Sequence, residues 1–140
     1  MRLECEAITG QVVGAAMEVH RTLGPWFIES IYEEALAVEL LERGTPFLRQ
    51  VPVPVLYRER SVGLHRLDLL VASQVVVELE AIKAIEPIHQ AILMSYLRAT
   101  GLRIGLLLNI QAKSLDTRRI LNPSAPPDPT LRVPPQTKNS

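Results

Sequence analysis

The chain has 140 residues, which is the size of one domain, and a core of this length buries about 68–70% of the surface of the unfolded chain. Hydrophobic residues make up 47% and charged residues 21%, which excludes a chain that is disordered over most of its length. Fifteen basic residues balance fifteen acidic ones, so the sequence lacks the overall positive charge of a protein that coats duplex nucleic acid.

The N-terminal segment has no features of a secretion signal. Met1 leads directly into charged residues, no long apolar span follows, and the single Cys5 cannot form an internal disulfide. We therefore expect a cytoplasmic protein that does not enter the membrane.

Two helices are predicted at the start of the chain. Apolar residues recur at helical spacing from Glu6 to Leu23, and Gly24-Pro25 ends this helix. A second helix is predicted from Ile28 to Arg43, with Gly44 at its C-terminal end. Its buried stripe is expected to contain Ile31, Ala35, Leu36, Val38 and Leu40. Its glutamates, Glu33, Glu34, Glu39 and Glu42, are expected to face solvent.

An antiparallel meander is predicted next. Apolar residues alternate from Phe47 to Tyr57, and Pro52 and Pro54 place this strand at a sheet edge or a bulge, because proline cannot donate to the ladder. Short turns then lead to a second strand, Val62 to Val71, and to a third, Val75 to Ala81.

The second half of the chain is predicted to complete an α/β domain spanning residues 1–121. A helix runs from Pro87 to Thr100, and Leu102 to Asn109 is apolar enough for a strand that is covered on both faces. The buried side of the helix is expected to contain Ile88, Ala91, Ile92 and Leu97. A last strand from Ser114 to Leu121 is left open. Residues 122–140 hold six of the eleven prolines and are expected to form a flexible tail.

Three acids lie inside the predicted meander. Asp68 is on the second strand, and the third strand places Glu78 and Glu80 on one face. Burying such charges costs several kcal/mol unless they are paired or bind a cation, and converging carboxylates are typical ligands of Mg²⁺. The alternatives are an uncovered sheet face or salt bridges to one of three basic residues, Arg66, Lys83 or Arg103.

These acids belong to a recognisable pattern. The run Asp68-Leu-Leu-Val, followed by Val75-Val-Val-Glu78-Leu-Glu80-Ala, resembles the D…(D/E)-x-K signature of the PD-(D/E)XK nuclease superfamily. The segment from His20 through Glu29-Ser-Ile-Tyr32, and the later Phe47-Leu-Arg-Gln-Val-Pro-Val, resemble the GxxExxY protein family within it. The resemblance implies a restriction-endonuclease-like α/β fold of the order α-α-β-β-β-α-β, with one further strand left open, in which helices flank a mixed sheet.

The resemblance also implies a catalytic site for Mg²⁺- or Mn²⁺-dependent hydrolysis of nucleic acid. Carried over onto this chain, the catalytic residues would be Glu29 on the second helix, Asp68, Glu78 and Glu80 on the strands, and Lys83 as a replacement for the family's lysine. Asp68, Glu78 and Glu80 would hold the cation. In such an enzyme the lysine orients the attacking water and stabilises charge on the phosphate.

The sequence departs from the family pattern at three positions. Glu80 stands where the catalytic lysine is usual, Trp26 where the first motif glycine is usual, and Ile92 where a glutamine is usual. All three changes favour reduced activity, so a catalytically inactive binding or assembly module with the same fold remains an alternative. A homodimer formed through a sheet edge or apolar helix faces is also left open.

The aromatic and histidine side chains carry weaker predictions. Tyr32 and Tyr96 are expected to be core residues with hydrogen-bonded hydroxyls, and Trp26 is expected to pack on the core in preference to stacking on a base. The three histidines are expected to lie on the surface or at helix ends.

Overall fold

In a computed structural model of the protein, residues 5–125 are described. Their helices and strands follow the predicted order and include the further strand that the sequence left open. In chain order they are α1 (Glu6–Leu23), α2 (Glu29–Glu42), β1 (Phe47–Tyr57), β2 (Arg60–Val71), β3 (Val75–Glu80), α3 (Pro87–Thr100), β4 (Ile104–Asn109) and β5 (Asp116–Leu121).

The five strands form one mixed sheet in the order β1-β2-β3-β4-β5. The first three strands pair as the predicted antiparallel meander, β3 pairs parallel to β4 through the crossover helix α3, and β4 pairs antiparallel to β5. Strand β1 lies at the edge and its pairing with β2 is irregular between Val55 and Leu56, which confirms the prediction made from Pro52 and Pro54.

Helices cover the sheet on both faces. Helices α1 and α2 pack on one face, where Leu36 and Leu40 meet alternate residues of the central strands, including Leu69, Val77 and Leu106. Helix α3 covers the other face through a second cluster, formed by Leu93, Leu97, Leu70, Val76 and Leu107. All six residues of β4 are buried, as predicted for a strand covered on both sides.

The predicted buried faces of α2 and α3 were partly wrong. In α2, Ile31 and Val38 are exposed, and Tyr32 is buried in their place with Leu36 and Leu40. Apolar residues surround most of this helix, so its periodicity does not identify the face that meets the sheet. Glu33, expected in solvent, is buried because Arg49 of β1 pairs with it.

Helix α3 shows a similar difference. Ile88 and Ile92 are exposed, and Leu93 and Leu97 are the buried apolar side chains of the helix, so only Leu97 of the expected stripe is buried. Leu93 meets the sheet at Gly105 of β4, where an added Cβ atom would lie 3.0 Å from the leucine. This close approach sets the rotation of α3 on the sheet.

The chain after β5 begins by packing against the domain. Asn122 is buried and its Nδ2 donates a hydrogen bond to the Leu102 carbonyl, and Arg103 donates one to the Ala125 carbonyl. The rest of the predicted tail, residues 126–140, lies outside the described residues. None of the helices in the described part is both long and apolar enough to cross a membrane.

Candidate active site

Strands β2 and β3 separate at the acids. Their ladder is regular from Val71↔Val75 to Leu69↔Val77, and the same register would next oppose Asp68 and Glu78. There the carboxylates bridge the strands: Glu78 Oε2 accepts a hydrogen bond from the Asp68 backbone N–H at 3.0 Å, and Asp68 Oδ2 accepts one from the Leu79 N–H at 2.8 Å. Each acid is therefore held in place by the backbone of the opposite strand.

Glu29 reaches the same region from the first turn of α2. Its Oε2 accepts a hydrogen bond from the backbone N–H of Ala81, at 3.1 Å, immediately after β3. This bond places the Glu29 charge close to Glu80, the last residue of β3, and that charge raises the pKa of Glu80. The four predicted acids, Glu29, Asp68, Glu78 and Glu80, thus lie in one region of the fold around the end of β3.

Burial and mutual repulsion raise the pKa values of the strand acids. Burial, and then the charge of Asp68, raise the pKa of Glu78 to about 9. The pKa of Asp68 is raised mainly by burial and further by Glu33 and Glu29. The pKa of Glu80 is also raised by burial and by the charge of Glu29. At neutral pH this site therefore holds a proton on Glu78 unless a cation replaces it.

The predicted basic partners do not neutralise these acids. Arg66 donates a hydrogen bond to the Gln50 carbonyl at 3.2 Å, and Arg103 donates to the Ala125 carbonyl at 2.7 Å. Lys83 is exposed after β3. Within residues 5–125, no ion pair joins a basic side chain to Asp68 or Glu78.

The donor chemistry of the site fits a hard divalent cation. Carboxylate oxygens are the ligands that Mg²⁺ and Mn²⁺ prefer, and a cation would relieve the repulsion that raises the pKa values of Asp68 and Glu78. In the arrangement described for residues 5–125, no three acidic, histidine or cysteine side chains converge closely enough to form a complete ligand group. Because Mg²⁺ usually retains several waters and binds through one or two carboxylates, the Asp68–Glu78 pair is compatible with it.

Asn109 fixes the chain beyond β3. It is buried at the end of β4, its Oδ1 accepts from the Ile82 N–H at 3.2 Å, and its Nδ2 donates to the Ile82 carbonyl at 2.9 Å. These bonds hold the segment in which Lys83 lies with its side chain exposed. Sequence reasoning missed Asn109, although a polar residue ending a fully apolar strand is a signal for such a role.

Gln50 is a second site residue that the sequence analysis missed. Its side-chain amide, close to Asp68, lowers the pKa of that acid against the larger effect of burial. Its Nε2 also donates to Glu33 Oε1 at 2.8 Å, and its backbone is left-handed with φ 52°. The pairs Arg49↔Leu69 and Val51↔Leu67 on either side place Gln50 opposite Asp68. This register depends on the tighter turn and on the irregularity between Val55 and Leu56, which the predicted hairpin did not contain.

Histidine and tyrosine side chains border the acids on the side of α3. His89 lies in the first turn of α3, as predicted for a helix-end histidine, and its proximity lowers the pKa of Glu80 against the larger effects of burial and Glu29. Its Nδ1 accepts a hydrogen bond from the Glu86 N–H at 2.9 Å. Burial, and then the charges of Glu78 and Asp68, raise the pKa of Tyr96.

A cleft of about 500 Å³ opens beside Glu29. Its walls include Trp26, Phe27, Ile28, Glu29, Ala81 and Gln111. Trp26 is 82% exposed, so the prediction that it packs on the core was wrong. Tyr32, by contrast, is 1% exposed and its hydroxyl donates to the Gly24 carbonyl, which confirms its predicted role as a core tyrosine with a hydrogen-bonded hydroxyl.

Comparison with known families gives one match. A sequence model of the PD-(D/E)XK nuclease superfamily matches residues 6–120, which include both flanking helix layers, the five strands but for the last residue of β5, and the four acids. No curated protein and no solved structure matches the chain.

Proposed function

Because the chain belongs to the PD-(D/E)XK nuclease superfamily and has its restriction-endonuclease-like α/β fold, we propose that it is a divalent-cation-dependent phosphodiesterase acting on nucleic acid. Within the superfamily, we place it with the GxxExxY proteins on the pattern around Glu29 and Tyr32. The observation that carries the proposal is the pair of the half-buried Asp68 and the buried Glu78, which spans the two strands without a basic partner in the described part of the chain.

Asp68 and Glu78 would hold Mg²⁺ or Mn²⁺, with Glu80 as an additional carboxylate ligand. When bound, the cation supplies positive charge that stabilises the phosphate and makes the attacking water more acidic. The backbone hydrogen bonds from Leu79 and Asp68 orient the two ligand carboxylates before substrate arrives, so little reorganisation is needed.

The remaining residues of the site hold protons and position the chain. Glu80 is half-buried and has a raised pKa, which suits a carboxylate that accepts a proton from the attacking water. Glu29 fixes the end of β3 through the Ala81 N–H. Lys83 is the candidate phosphate contact in place of the usual lysine, because its long flexible side chain lies three residues beyond Glu80.

One observation favours a second function, that of a catalytically inactive binding or assembly module. Glu80 reverses the charge at the position where the family has lysine, and the exposed Lys83 makes no hydrogen bond or ion pair with the acids among the described residues. A negative charge at this position repels a phosphate where a lysine would attract it.

A calorimetric titration with Mn²⁺ and with Mg²⁺ tests the proposal without a choice of substrate. The wild type should bind, Asp68→Ala should not, and Glu42→Ala is the matched control because Glu42 is an exposed carboxylate at the C-terminal end of α2, whereas Glu29 begins that helix. Absence of binding by the wild type would contradict the cation site and favour the inactive module.

Cleavage assays then separate an active enzyme from an inactive cation-binding protein. Single- and double-stranded DNA and RNA are incubated with Mg²⁺ or Mn²⁺, and cleavage by the wild type that is lost in Asp68→Ala supports the phosphodiesterase. If the wild type binds the cation and cleaves none of the four substrates, the inactive module is favoured, and Glu80→Lys tests whether a lysine at this position restores activity.

A further inference from the structure

We propose that Trp26, with Phe27 and Ile28, forms a stacking site for an unpaired nucleobase of the strand whose phosphodiester lies at the acids. This inference rests on the proposed function and specifies its substrate class as nucleic acid with at least one unpaired base. We refer to Trp26, Phe27 and Ile28 together as the aromatic turn.

The aromatic turn exposes three consecutive large apolar side chains. Trp26 is 82%, Phe27 45% and Ile28 67% exposed. Trp26 therefore contributes little to the core, and the hydrophobic effect opposes leaving an indole in water. An aromatic face in this position is chemically suited to a planar ligand, and base stacking on such a face is tolerant of sequence because every base has a π-face.

Buried contacts hold the aromatic turn in place. The Tyr32 hydroxyl donates to the Gly24 carbonyl and accepts from the Phe27 N–H at 3.4 Å, and the Phe27 and Tyr32 rings meet edge to face with centroids 6.4 Å apart. Trp26 lies so close to Gly24 that an added Cβ atom would be 2.9 Å from the indole. The Trp26 ring is thus held in place by neighbouring backbone and remains exposed. Because it is already positioned, less side-chain conformational entropy is lost when a ligand binds.

The cleft of the aromatic turn is lined by one of the four acids, Glu29. Glu29 follows Ile28 directly and lines the cleft, and its carboxylate is bound to the Ala81 N–H next to Glu80. A nucleotide whose phosphate lies at the acids would therefore direct a neighbouring base toward Trp26. The cleft volume of about 500 Å³ falls in the range of about 300–1,000 Å³ typical of small-ligand sites.

Gln111 supplies a polar side chain to the cleft that the aromatic turn lines. Its backbone N–H is fixed by Asn109 Oδ1 at 3.2 Å, and its side chain is exposed at the cleft. A carboxamide both donates and accepts, so it can pair with the edge of a base whose face rests on Trp26. A base inside a duplex has both faces stacked and its pairing edge occupied, so the cleft favours an unpaired base.

The intrinsic fluorescence of the protein provides a direct test, because Trp26 is its single tryptophan. The full chain is titrated in buffer containing EDTA, so that the proposed cleavage does not occur, with a short single-stranded oligodeoxyadenylate, the same strand as a duplex, its RNA equivalent, and an abasic strand of equal length. Tryptophan emission reports stacking, and the anisotropy of a dye on the strand reports binding independently. Trp26→Ala, Trp26→Phe and the control Tyr57→Ala, an exposed tyrosine at the end of β1, are measured by anisotropy.

We expect the base-containing single strands to quench the emission of Trp26 and the abasic strand to leave it unchanged. Trp26→Ala should weaken single-strand binding about 5- to 150-fold, the range for loss of one stacked base, while Trp26→Phe retains most of the affinity and Tyr57→Ala equals the wild type. Stronger quenching by DNA or by RNA identifies the preferred strand. Circular dichroism melting of Trp26→Ala should match the wild type because the side chain is exposed.

Two outcomes would overturn the inference in distinguishable ways. If the wild type binds single strands and Trp26→Ala binds them equally well, the stacking site is refuted and the proposed nuclease function stands. If the wild type binds no nucleic acid, both the stacking site and the proposed function fail. A molecular mass in solution that rises with protein concentration in the wild type, and does not in Trp26→Ala, would then identify the aromatic turn as a contact between copies of the chain.

Discussion

Replacing Glu78 with glutamine should stabilise the protein, and increasingly so as pH rises. Glu78 is 6% exposed, and burial and the charge of Asp68 raise its pKa from the ordinary 4.5 to about 9 in the folded state. The folded chain then holds this proton more tightly than the unfolded chain, so stability contributed by the protonated form is complete below about pH 4.5 and is lost as pH rises toward about pH 9.

The magnitude follows from the proton linkage. Each pKa unit corresponds to about 1.4 kcal/mol, so the carboxyl of Glu78 lowers the free energy of unfolding by up to about 3 kcal/mol at pH 7 and about 6 kcal/mol near pH 9. A glutamine keeps an oxygen that accepts from the Asp68 N–H and has an amide that can donate to the Asp68 carboxylate, which reproduces the protonated acid without its pH dependence.

Urea unfolding followed by circular dichroism, at pH values from about 5 to about 9, measures this effect as the difference between wild type and Glu78→Gln. The exposed Glu42, replaced in Glu42→Gln, is the matched control and should show a difference that hardly changes with pH. If Glu78→Gln is no more stable than the wild type near pH 9, or if both variants show the same pH trend, the uncompensated burial of Glu78 is refuted.

Three further substitutions test the contacts that build the site. Tyr32→Phe removes the hydroxyl bound to the Gly24 carbonyl and should cost about 1–2 kcal/mol in urea unfolding, with a lower fluorescence anisotropy of the tryptophan as its turn loosens. Asn109→Ala removes the buried amide that holds the chain after β3 and should cost about 2–3 kcal/mol, with faster backbone hydrogen exchange in that segment. Gly105→Ala places a Cβ atom 3.0 Å from Leu93 and should lower the free energy of unfolding by about 1–3 kcal/mol, whereas an unchanged urea midpoint would show that α3 can shift away.

The order of the elements could be predicted from local sequence signals. Gly24 and Gly101 follow the ends of helices and have positive φ values of 72° and 76°, and Pro87 begins α3. These glycine and proline residues therefore predicted the helix boundaries closely. The prolines of β1 identified an edge strand for the same reason, since the missing N–H is a local property of the residue.

The packed faces of the helices could not be predicted in the same way. Helix α2 has apolar residues on most sides, and the sheet selected Tyr32 over Ile31 because the tyrosine hydroxyl finds a partner at Gly24. In α3 the close approach at Gly105 determined that Leu93 is buried and Ile92 is exposed. Both choices depend on the neighbouring element, which the periodicity of a single helix does not describe.

The sequence alone determined the α/β order, the meander and the placement of Asp68, Glu78 and Glu80 on adjacent strands, because strand periodicity and turn residues act over short distances. Only the tertiary structure decided how those acids are held and what surrounds them. The hydrogen bonds that the acids make across β2 and β3, and the bond from Ala81 to Glu29, join residues that are distant in the chain. The exposure of Trp26 depends on which elements pack around it. Such contacts arise from packing of whole elements against one another, and no local pattern encodes them.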